Sequence, residues 1–154
     1  MDPKDFYTLA EKLSQTDDPA HCRSAISRAY YAVYNHAVNI LRDWGFEVEN
    51  RPSGHKEVQY RLFYSNDTDF QHISTQLGDL LGDRVKADYR LDQPGIESQR
   101  TAKSKVSLVK RIMEDLSAGA KDAHRSGRMY ENIKNNEPRI QAQLKSHKQT
   151  IAGD

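Results

Sequence analysis

Cysteine is almost absent from this chain of 154 residues: only Cys22 is present, so an intramolecular disulfide and a cysteine-rich metal site are both excluded. Long apolar runs are missing as well. None reaches the roughly 18 residues needed to span a bilayer, and the opening Met-Asp-Pro-Lys-Asp carries no apolar signal region, so a cytoplasmic location is expected. Net charge is nearly absent at +1, which removes any global field that would drive the protein onto nucleic acid. The balance is uneven along the chain. Residues 118–154 hold seven Lys or Arg against four Asp or Glu, while residues 1–117 hold sixteen against eighteen. There is no Gly-rich phosphate loop and no internal repeat. The six histidines are scattered with no i, i+4 pair and no carboxylate cluster, so neither a metal nor another cofactor is expected.

What is present is helical periodicity. Phe6, Leu9, Ala10 and Leu13 form the apolar face of a first helix starting at Asp2-Pro3, with Pro suited to the first helical position. Pro19 opens a long second helix that runs to about Trp44 and stops at Gly45. The spacing predicts further helices from about His55 to Tyr64, Asp69 to Lys86 and Ile96 to Ala118. Turn chemistry at Asn50 to Gly54 and at Asp92 to Gly95 separates them. The fold class read from this pattern is all-α: an antiparallel up-and-down bundle of four to five helices over residues 1–118. Residues 119–154, with Pro138 and several Asn, Gln and Lys, read as a polar, weakly helical or disordered C-terminal extension. Its apolar stripe is thin: Ile140, Leu144 and Ile151.

The second helix is the most informative segment, because it carries two distinct stripes. Ile26, Tyr30, Val33, Ala37, Ile40 and Trp44 recur at spacings of three and four and belong in a core. Arg28, Tyr31, Asn35, Asn39 and Arg42 recur in the same way on another face, where a plain surface helix would carry Lys and Glu. Such a face suits a partner or a second copy of the chain. Arg28 and Arg84 are candidates to grip a phosphate while Tyr31 or Tyr89 stacks on a base. The plain structural reading is that Arg28 and Tyr31 hydrogen-bond to Asp88, satisfying a buried charge, with Arg84 and Asp88 spaced for an intrahelical pair. If any group acts as a general base it is His36 or His55, since imidazole titrates near neutrality.

Ser27-Arg28-Ala29-Tyr30-Tyr31-Ala32 resembles the signature on the second helix of the HEPN domain superfamily, most closely its small stand-alone prokaryotic members. His55-Lys56 and the run from Arg84 to Asp88-Tyr89 follow in the order of that subgroup, and the resemblance covers roughly residues 5 to 117. It implies a helical, RNA- or nucleotide-associated protein of a toxin–antitoxin or defence system. It further implies a homodimer with a cleft on the twofold axis and a nucleotidyltransferase-type antitoxin as partner.

The alternative that the resemblance implies is a metal-independent endoribonuclease in which the ribose 2′-hydroxyl attacks the adjacent phosphate. Arg28 would then stabilise charge, with His36 or His55 moving the proton. In such nucleases a His follows the Arg by four to six residues, whereas seven residues separate Arg28 from His36 here. Eight helical steps turn His36 about 80° from Arg28, and Asn35 returns to the Arg28 face instead. An amide transfers no proton at neutral pH, which favours a binding module. The candidate site is therefore Arg28, Tyr31, Asn35, His36, His55, Arg84, Asp88 and Tyr89, of which Arg28, Tyr31, His55, Arg84, Asp88 and Tyr89 are expected to converge in one pocket.

Overall fold

The computed structural model describes residues 1–49 and 51–153. Asn50, the first residue of the expected loop, and Asp154, the last of the extension, lie outside the described residues. Among those described the chain is all-helical, with no strand and with seven α-helices: α1 (Pro3–Leu13), α2 (Pro19–Asp43), α3 (Gly54–Tyr64), α4 (Thr68–Tyr89), α5 (Gln99–Lys121), α6 (Ala123–Asn135) and α7 (Glu137–Ala152), plus a 3-10 turn at Pro94–Ile96. The all-α class is as the periodicity required. The helix count exceeds the expected four to five because the C-terminal segment contributes two helices of its own.

Local chemistry fixes the helix ends. Asp2 caps α1 by accepting from the Lys4 amide at 2.8 Å, and Asp5 returns the favour to the Asp2 amide at 3.2 Å, a reciprocal box that satisfies two orphan donors. Asp18, Asp67 and Asp122 accept in the same way from His21, Asp69 and Arg125, each supplying a carboxylate to the positive end of a helix. Gly45 ends α2 at φ +91°. Its amide bonds to Arg42 O at 2.8 Å and the Phe46 amide to Leu41 O at 2.9 Å, the paired bonds of a Schellman turn, which needs a residue without a Cβ at that point. The turn sets Phe46 at the end of α2.

By its internal contacts the chain divides into two units, each discontinuous in sequence. The first comprises Met1–Ala37 with Gln76–Asp115, and the second Val38–Thr75 with Leu116–Asp154. In the first, the apolar stripe of α2 is buried as expected as far as Ala37, with Ile26 and Val33 fully covered and Tyr30 at 1% exposure; Ile40 and Trp44 fall in the second unit, where Ile40 is buried and Trp44 only half-buried. Ile26 meets Ala87 and Ile96. Cys22 is buried with them, and desolvation pushes its thiol upward, so it is a packing residue rather than a nucleophile.

Arg23 is the first unit's buried cation. Its guanidinium donates to the carbonyls of Lys86, Ala87, Arg90 and Gln93 at 3.0 to 3.2 Å and pairs with Glu97 at 2.7 Å. Ala87 at the end of α4 and Gln93 in the turn behind it offer carbonyls that no backbone amide fills among the described residues, while those of Lys86 and Arg90 also accept from the amides of Arg90 and Gln93, so one side chain caps a helix and closes a loop.

In the second unit α3 packs on α6 and α7. The extension is two packed helices, because Met129, Ile133, Ile140 and Leu144 are all buried; Ile151, which the sequence placed in the same stripe, is 63% exposed. Arg61 on α3, only 4% exposed, pairs with Glu57 at 2.8 Å and reaches Glu137 at the start of α7 at 3.0 Å. Arg125 of α6 pairs with Asp67 at 2.7 Å, which holds that carboxyl below its ordinary range. Gly119 is required by proximity: a Cβ there would lie 2.6 Å from the buried Phe70 ring, itself stacked on Trp44.

Candidate functional site

Three helices of the first unit bring the unusual polar residues together. α2 supplies Arg28 and Tyr31, one turn apart; α1 supplies Phe6; the last two turns of α4 supply Arg84, Asp88 and Tyr89. Tyr31 is the hub. The Arg28 guanidinium lies 5.3 Å from its ring centroid and that of Arg84 5.2 Å, both within the range of a cation–π attraction. Arg84 donates to the Tyr31 hydroxyl at 2.7 Å. It also lies 5.4 Å from the ring centroid of Tyr89, which is 67% exposed.

The two arginines differ in what neutralises them. Arg84 Nε sits 2.8 Å from Asp88 Oδ2, and the same oxygen accepts from the Ser27 hydroxyl at 3.1 Å. Arg28 has no carboxylate within 4.0 Å among the described residues. It rests on the Phe6 ring at 5.6 Å as well as on Tyr31, and these rings fix the guanidinium without using its N–H groups. Aromatic support costs a cation little of its affinity for an anion, and a half-buried fork presents two parallel donors to a phosphate or carboxylate. The cluster carries one positive charge in excess, at Arg28.

Several expectations are revised by this geometry. Asp88 is held by Arg84 and Ser27 rather than by Arg28, because the i, i+4 spacing on α4 places Arg84 next to it. Asn35 donates to the Tyr31 backbone carbonyl one turn back at 2.7 Å, which uses one of its two amide N–H groups within its own helix. His55 lies in the first turn of α3, in the second unit. The helix runs from Pro19 to Asp43 without a π-bulge, and so His36 keeps its rotation away from the Arg28 stripe. Phe6 and Ser27 complete the site although the sequence marked neither as a site residue. A Ser beside the signature Arg was a signal for Ser27; for Phe6 there was none beyond helix amphipathicity.

His36 is half-buried and bonded to the Met113 backbone. Desolvation lowers its pKa from the ordinary 6.5; the Met113 bond opposes that shift, nearby Lys4 adds to it and Asp2 opposes it. With the folded value below the unfolded one, the unfolded chain takes up the proton first as pH falls. Stability contributed by neutral His36 is thus present above 6.5 and lost as pH drops from there to the folded value. The urea midpoint is expected to fall between about pH 7.5 and 5.5, and His36→Gln to flatten that fall. An equal fall in the variant would refute it. Burial pushes the Tyr30 phenol far upward.

Among the described residues no three His, Cys, Asp or Glu side chains form a metal-binding group, and no helix is long and apolar enough to cross a membrane. No family model matches the chain, and no curated protein and no solved structure matches it.

Proposed function

We propose that this is a HEPN-like helical protein of a prokaryotic toxin–antitoxin or defence pair, acting as a dimeric module that binds RNA through the Arg28 face. The observation that carries this reading is the half-buried Arg28 guanidinium, braced by two aromatic rings and lacking a carboxylate partner. A single-stranded phosphate supplies the missing anion, and the exposed Tyr89 ring offers a stacking surface beside it. Dimerisation through the outer stripe of α2 would double the charge along one groove. A nucleotidyltransferase-type antitoxin is the partner that the resemblance implies.

The test is fluorescence anisotropy with a labelled single-stranded RNA, comparing wild type with Arg28→Ala. Loss of a charge-assisted contact is expected to weaken binding about tenfold or more while leaving the circular dichroism unchanged. Equal affinity of the two proteins would overturn the reading. Incubation of total RNA in EDTA reports on the alternative, a metal-independent endoribonuclease. That mechanism requires a base beside Arg28, and His36 is engaged at Met113. Cleavage that disappears in Arg28→Ala would replace the binding module with the enzyme.

A further inference from the structure

The second unit contains a cavity of about 530 Å³, within the size range of small-molecule sites and independent of the Arg28 face. Its lining changes character from floor to rim. At the floor, Arg61 is shared between Glu57 and Glu137, so one guanidinium faces two carboxylates and an excess of acceptor capacity remains. Glu137 is 34% exposed; its Oε1 accepts from Arg61 and from Gln141, whereas Oε2 accepts, among the described residues, from Arg61 alone at 3.0 Å, which leaves Oε2 a lone pair for a donor from a ligand.

The wall is aromatic. Phe46, positioned by the Schellman turn, has the Arg61 guanidinium over its ring at 5.0 Å and packs against Tyr130 at 5.4 Å and 40°. The rim is basic. Lys134 of α6 and Lys145 and Lys148 of α7 line it, and none has a carboxylate within 4.0 Å among the described residues. Lys145 and Lys148 are one turn apart and share a helix face. Glu47 and Glu49 also line the opening, but Glu49 has Arg51 at 3.9 Å, which leaves three lysines against Glu47.

We infer that this cavity binds a small molecule with a flat, amine-bearing ring joined to an anionic group, the chemistry of a mononucleotide. The ring packs on Phe46 and Tyr130, its amine donates to Glu137, and its phosphate meets Lys145 and Lys148. An acceptor floor beneath a cationic rim selects a ligand polarised in that sense and rejects a plain anion, which would have no partner for the floor.

Isothermal titration of the full chain with AMP, adenosine and inorganic phosphate tests this. AMP is expected to bind, with adenosine weaker by about tenfold or more and Lys145→Ala/Lys148→Ala weakened to a similar degree. Arg28→Ala should bind AMP as wild type does, whatever its effect on RNA. The inference is overturned by undetectable AMP binding at millimolar concentration, by unchanged affinity in the double lysine variant, or by phosphate binding as tightly as AMP. Loss of AMP binding in Arg28→Ala alone would also overturn it, by assigning the nucleotide to the first unit. Both lysines are exposed, so the double variant retains the fold.

Discussion

Arg23→Ala is expected to lower the melting temperature by roughly 10 °C or more, the equivalent of about 3–5 kcal/mol for a buried charged network that loses its centre. The expectation follows from how much that side chain satisfies. It is 7% exposed and bonds four backbone carbonyls besides Glu97. Alanine would leave the Ala87 and Gln93 carbonyls without their donor, and Glu97 without its cation. Arg23→Lys should recover less than half of the loss, because one ammonium cannot span acceptors that the planar fork reaches from both sides. A shift under about 2 °C for Arg23→Ala would mean that water replaces the guanidinium at little cost.

Arg61→Ala is expected to be destabilising to a similar degree, about 3–5 kcal/mol, for a different reason. Glu57 is buried at 6% exposure, and Arg61 is its ion-pair partner. Removing the cation strands an anion in the interior, and the Phe46 ring loses its cover. The stranded charge can be separated from the lost packing by adding Glu57→Gln. Arg61→Ala/Glu57→Gln should be more stable than Arg61→Ala alone, a coupling that marks the orphan carboxylate as the source of the cost. Amide exchange across residues 137–152 should speed up in the single variant, since α7 is tied to α3 through Glu137. If the double variant proves no better than the single one, packing rather than charge explains the loss.

These two arginines also mark where sequence reasoning stopped. Helices α1 to α5 were legible because their apolar residues recur with the helical period and their ends carry Asp, Pro or Gly in the right places. That period says nothing about which cation is buried. Arg23 finds Glu97 74 residues away, and Arg61, besides Glu57 one turn back, finds Glu137 76 residues away; in sequence each looks like a surface residue. The extension was misjudged for the same reason. Met129 and Ile133 are few among polar neighbours, and their burial depends on α3, a segment seventy residues earlier. Of the candidate site, the Arg84–Asp88 pair was readable from i, i+4 spacing, and the mismatch of Arg28 with His36 from helical rotation. That Arg28 would be left with aromatic rings and no acid was not, because Arg84 and Arg28 approach one tyrosine from different helices.

The interleaving of the two contact units has a consequence for how the protein is made. Neither unit is a continuous stretch: one needs residues 1–37 and 76–115, the other 38–75 and 116–154. A ribosome adding roughly 5–20 residues per second leaves the first half of the first unit waiting some seconds for its complement, with the core stripe of α2 uncovered. Truncating the gene near residue 118, where the composition changes, would take from the second unit both helices that pack on α3. Neither unit can therefore close until synthesis has passed well into its second segment.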